Sequence, residues 1–80
     1  IGIDISKDTL DVHRLTDGQH RQFLNGKAGH TQLLKWIKLR PAQLVIFEAT
    51  GAYHRQLERA LGRQSVPFVK AGESRLELSA

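Results

Sequence analysis

Ile1, Ile3 and Ile5 alternate with Gly2, Asp4 and Ser6, the period-two rhythm of a strand with one face in a core. That phase puts Asp4 on the opposite face. Residues 9–15 (TLDVHRL) carry a second strand pattern with Leu10 and Val12 on one side. Asp17-Gly18 then favours a tight hairpin, so residues 20–25 are expected to return antiparallel beside it. Gly26 and Gly29 mark residues 25–29 as a loop. Beyond it Leu33, Leu34 and Ile37 repeat at helical spacing, with Trp36 on the flank, until Arg40-Pro41 stops them. Residues 44–47 (LVIF) are apolar at every position, which predicts a central strand covered on both faces. Tyr53, Leu57, Ala60 and Leu61 form one face of a second helix expected to end at Gly62. Residues 66–69 (VPFV) make a last strand.

The predicted order is therefore β-β-β-α-β-α-β, an antiparallel meander followed by helix-connected strands. Such an order requires a mixed α/β sheet with helices packed on it. A ribonuclease-H-like fold, incomplete at the C-terminus, is the leading candidate.

Eighty residues leave room for one domain, and 40% hydrophobic with 25% charged residues is ordinary globular composition. No apolar run approaches the roughly 18–20 residues of a membrane span, and no signal peptide is visible. A cytoplasmic protein with no membrane partner is expected. The absence of Cys excludes disulfides, thiolate zinc sites and thiol nucleophiles, so any metal must use oxygen or imidazole. The net charge of +4 permits a polyanion partner. The chain begins at Ile and contains no Met, which points to a piece of a longer protein.

Two carboxylates carry the strongest chemical signal. Asp4 lies mid-strand on a non-core face, and Glu48 directly follows the buried strand, at the carboxyl end where open α/β sheets hold ligands. If their strands are neighbours, the two acids converge, and a divalent cation relieves their repulsion. Mg²⁺ suits such hard oxygen ligands, and phosphoryl transfer is the natural reaction. The plainer alternative is a solvated edge Asp and a Glu that caps the next helix. Asp8, Asp11, Asp17, Glu58, Glu73 and Glu77 are weaker candidates, read mostly as solvated. Thr50-Gly51 reads as a helix cap, with phosphate binding by its amides as the alternative.

His13, His20 and His30 lack zinc spacing, while His54 and Arg55 fall on the first turn of the second helix, within range of a substrate phosphate. Arg55, Arg59 and Arg63 form a stripe at i, i+4 and i+8, which with Lys7 makes a candidate nucleic-acid contact. A solvated positive face is the commoner meaning of such a stripe. Trp36 and Tyr53 read as core more readily than as base-stacking platforms.

Residues 1–12 (IGIDISKDTLDV) and 45–54 (VIFEATGAYH), with the helix that follows, resemble the N-terminal domain of the DEDD transposases of bacterial insertion sequences. That group includes the Piv-like pilin-gene inverting recombinases, and its domain is similar to the Holliday-junction resolvase RuvC. The resemblance matches Asp4 to the family's first catalytic aspartate and Glu48 to its glutamate, both metal ligands for Mg²⁺ or Mn²⁺. The family's other two aspartates have no counterpart, since the last Asp here is Asp17. Residues 70–80 (KAGESRLELSA) also depart from the family pattern, so residues 1–69 are taken as the RuvC-like catalytic fragment and 70–80 as a tail.

The resemblance implies transposition or site-specific recombination of DNA in the bacterial cytoplasm. It also implies a homo-oligomer in the full-length protein, a guide RNA in some members, and a separate domain with a serine nucleophile. The fragment alone is expected to be inactive. Two other readings stay open. Actin-like and sugar-kinase ATP-binding domains share the opening strand, but they follow its Asp with Gly and Thr or Ser, whereas Ile5, Ser6 and Lys7 follow here. A non-catalytic basic nucleic-acid-binding module predicts salt-sensitive binding that survives Asp4→Asn.

Overall fold

The computed structural model describes residues 1–39, 44–48, 51–71 and 76–79, the last group by backbone alone. Six strands form one sheet: β1 (Gly2–Ile5), β2 (Thr9–Arg14), β3 (Gln19–Leu24), β4 (Val45–Glu48), β5 (Phe68–Ala71) and β6 (Leu76–Ser79). Two helices, α1 (Lys27–Lys38) and α2 (Arg55–Arg63), connect β3 to β4 and β4 to β5. The sheet order is β3-β2-β1-β4-β5-β6, antiparallel across β1, β2 and β3, parallel from β1 through β4 to β5, and antiparallel again to β6. The chain is thus a small α/β domain with a mixed sheet.

The expected phase of β1 holds, with Ile3 buried and Asp4 exposed. The β2–β3 hairpin turns through Gly18 at φ 70, a backbone conformation that glycine adopts without a side-chain clash. Leu10 and Val12 of β2 join Ile3, Phe23, Val45, Phe47 and Phe68 from the sheet, and Leu33, Trp36, Ile37, Leu57 and Leu61 from the helices, in one core. Both helices lie on the same sheet face, as right-handed crossovers that progress in one direction require. The other face carries no helix among the described residues.

That one-sided covering corrects the reading of residues 44–47. Val45 and Phe47 are buried, but Leu44 and Ile46 keep 41% and 44% exposure. The first helix starts earlier than predicted, at Lys27, with Gly29 inside it. Gly29 marks close approach rather than a loop, because a Cβ there would collide with the Leu24 carbonyl oxygen at the end of β3. The Arg40-Pro41 stop lies outside the described residues; α1 closes at Leu39.

The second helix begins at Arg55, leaving Tyr53 54% exposed, which corrects its placement on the apolar face. It also runs through Gly62. The stop comes at Ser65, whose φ of 55 is left-handed, with Ser65 N–H donating to Gly62 O and Val66 N–H to Leu61 O. These two bonds form the Schellman motif, with Val66 packed as its apolar contact. β5 covers Phe68–Ala71 rather than residues 66–69, and β6 pairs beside it through Lys70↔Glu77 and neighbouring positions.

Candidate functional site

The geometry of the acid pair follows from strand register. β1 and β4 are parallel with Ile3 opposite Phe47, both on the core side. One residue further along each strand stand Asp4 and Glu48, on the open face and at the carboxyl ends of two central strands. Cα atoms opposed across such neighbours lie about 5 Å apart, so the backbone brings the two sequence-predicted acids side by side. Asp4 is 83% exposed at its side chain, and Glu48 is exposed.

Asp11 joins this row, because β1 and β2 pair Asp4 directly with Asp11. The sequence pattern alone places Asp11 among the solvated acids. The signal was available: in the register that sets Ile5 against Leu10, Asp4 reflects onto Asp11. Like charges directly opposed across strands are destabilising, and neighbouring polar groups offset them here. His13 Nε2 lies 3.6 Å from Asp4 Oδ2, His20 Nε2 lies 3.6 Å from Asp11 Oδ1, and Gln22 Nε2 donates to Asp11 Oδ1 at 3.1 Å. The two imidazoles stack with centroids 4.5 Å apart. Among the described residues no three His, Asp or Glu side chains converge as a metal cluster.

The turn from β1 into β2 is held by a polar hub that the sequence did not reveal. Asn25 Nδ2 donates to Ser6 O at 2.8 Å and Tyr53 O at 3.0 Å, and its backbone N–H donates to Asp8 O at 2.8 Å. Two carbonyls around Nδ2 fix the amide orientation, so Asn25 Oδ1 accepts and His30 Nε2 donates across 2.8 Å. His30 is buried on α1. Its pKa is lowered, first by burial and then by the Arg63 guanidinium, so neutral imidazole is the favoured form. One side chain therefore ties the hairpin turn, the segment before α2 and the start of α1 together.

Other predicted residues fall elsewhere. Lys7 is exposed in the turn after β1, at the acid end of the sheet. His54 is not poised for a phosphate: its side chain is 13% exposed, 3.8 Å from Glu58 Oε2, with its ring 6.1 Å from Phe47. Glu58 is not simply solvated either, since Lys70 Nζ donates to it at 3.0 Å. Arg55 is exposed on the first turn of α2, whereas Arg59 and Arg63 face α1. Trp36 is core, as read, and carries the buried Arg14 guanidinium 3.8 Å from its ring centroid. Arg14 also donates to Trp36 O at 3.2 Å, an anchoring role no local pattern marked. Thr50 and Glu73 lie outside the described residues, and of Glu77 only the backbone is described. No described helix is long and apolar enough to cross a membrane. No protein-family model matches the chain, and no curated protein sequence does so at a significant level.

Proposed function

We propose that this chain is the leading part of a ribonuclease-H-like catalytic domain of a DNA transposase or site-specific recombinase, one resembling the DEDD transposases. In it, Asp4 and Glu48 contribute half of a divalent-metal centre. The observation that carries the reading is the parallel β1–β4 register, Ile3 against Phe47, which makes Asp4 and Glu48 neighbours on the open face. An antiparallel meander followed by helix-linked parallel strands also supports it.

Two adjacent carboxylates are hard oxygen donors that fit Mg²⁺ or Mn²⁺. They fill only part of a coordination shell, which waters and a substrate phosphate can share; the resemblance implies two further acids, which have no counterpart in this chain. When bound, the metal supplies polarisation of phosphate oxygens and activation of a nucleophile for phosphoryl transfer. The chain itself supplies rigid placement: both acids stand on hydrogen-bonded strands, and the hub at Asn25 fixes the turn that follows Asp4. Lys7 in that turn adds positive charge where a phosphate would arrive.

Calorimetric Mn²⁺ titration of the chain, Asp4→Asn, Glu48→Gln and the double variant tests the pairing. If one ion is shared, each single variant loses most of the affinity and the double variant loses little more. Titrations unchanged in both single variants would contradict the proposal.

A further inference from the structure

α1 and α2 enclose a groove of about 530 Å³ on the helical side of the domain, away from the acid row. Its walls carry Lys27, Thr31, Gln56, Arg59 and Arg63, over an apolar floor of Leu34 and Ala60. Among the described lining residues there is no carboxylate. Lys38 adds a cation at one end, its Nζ donating to the groove residue Gln64 across 2.6 Å. Asp4, Asp11 and Glu48 stand on the open sheet face, so the groove's cations Lys27, Arg59 and Arg63 lie on the opposite side of the sheet from that acid row.

We propose that this groove holds the phosphate backbone of a single nucleic-acid strand. Arg59 and Arg63 are four residues apart on one helix, about 6 Å along its axis, so their guanidinium groups stand far enough apart to meet different phosphates of one strand. Guanidinium groups match phosphate oxygens bidentately. The Gln56 and Gln64 amides supply neutral donors of the kind that fix register on a backbone without reading bases. The concave shape and recessed floor disfavour a membrane surface, which calls for an exposed apolar face. Binding here needs neither Asp4 nor Glu48, so the inference stands apart from the metal reading.

The test is fluorescence anisotropy of labelled 12-nucleotide oligothymidylate and oligouridylate against the chain over a range of salt. Arg59→Gln/Arg63→Gln is compared with Arg21→Gln/Lys35→Gln, which removes the same charge from outside the groove. The groove variant is expected to bind at least about ten-fold more weakly and to reduce the salt slope by about 1.4, the value for two lost phosphate contacts on a single strand. The outside variant keeps the slope, Arg59→Lys/Arg63→Lys retains it, and Asp4→Asn leaves binding intact. Both oligonucleotides bind, as phosphate reading requires. Equal losses in the two Gln variants, no loss in either, sharp rejection of one oligonucleotide, or equal competition by polyglutamate of matched charge would overturn the proposal. Circular dichroism confirms that each variant is folded, and all four altered positions are exposed.

Discussion

The chain has a glycine inside each helix, Gly29 in α1 and Gly62 in α2, and the packing predicts opposite outcomes for the same substitution. In an unobstructed helix, Gly→Ala gains about 0.8–1.0 kcal/mol from backbone entropy and propensity. Gly62 meets this condition, since a Cβ there would touch nothing within 4 Å. Gly62→Ala should therefore stabilise by up to about 1 kcal/mol, a rise in Tm of about 4–8 °C for a domain of this size.

At Gly29 the new Cβ would meet backbone, the carbonyl of Leu24, which cannot rotate aside as a side chain would. Separating α1 from β3 would also loosen Phe23 against Trp36, whose ring centroids are 6.0 Å apart. Overpacking typically costs about 1–3 kcal/mol; a collision with three backbone atoms of Leu24 belongs in the upper half of that range, so after a helical gain of about 0.8–1.0 kcal/mol is subtracted Gly29→Ala should still lose about 1–2 kcal/mol. Thermal and urea unfolding followed by circular dichroism read both variants. A Gly29→Ala variant as stable as the parent would refute the close approach of α1 to β3. A loss at both positions would refute the claim that packing decides the sign.

Asn25→Ala removes the partner of a buried imidazole, and an unsatisfied buried group costs about 1–3 kcal/mol; urea unfolding should show a loss in that range, and an unchanged midpoint would dismiss the hub. Because the folded-state pKa of His30 lies below its ordinary 6.5, the unfolded chain binds the proton more readily, so its contribution is complete above about pH 6.5 and declines as pH falls. Unfolding free energies of the parent and His30→Gln should accordingly converge on acidification from neutral pH, and a parallel pair of curves would contradict the assignment. Ser65→Gly relieves a left-handed residue at the end of α2 and should gain about 0.5–1 kcal/mol in the same unfolding assay.

Much of the fold was legible because its signals are local. The Ile1, Ile3 and Ile5 alternation marked the phase of β1, the Asp17-Gly18 pair marked the hairpin, and apolar spacing found both helices though not their ends. What failed was long-range. Gly29 reads as a loop residue until Leu24 is known to press against it. Ile46 reads as buried because apolar runs usually signal two covered faces, while the described residues cover only one. Glu58 reads as solvated because its partner Lys70 lies twelve positions away, on β5. Asp4 and Glu48 were each visible as candidates, and their adjacency depends on the β1–β4 pairing. Asp11 was recoverable by reflecting Asp4 through the β1–β2 turn. The groove cations were visible only as a stripe on α2, since Lys27 comes from the other helix.

The central claim, that β1 and β4 present Asp4 and Glu48 as one oxygen-donor pair, is tested most directly by Mn²⁺ titration of the isotope-labelled chain observed by NMR. Paramagnetic broadening should appear together at the carboxyl ends of β1 and β4 and vanish in Asp4→Asn. Broadening confined to one strand, or scattered without regard to Asp4, would contradict it.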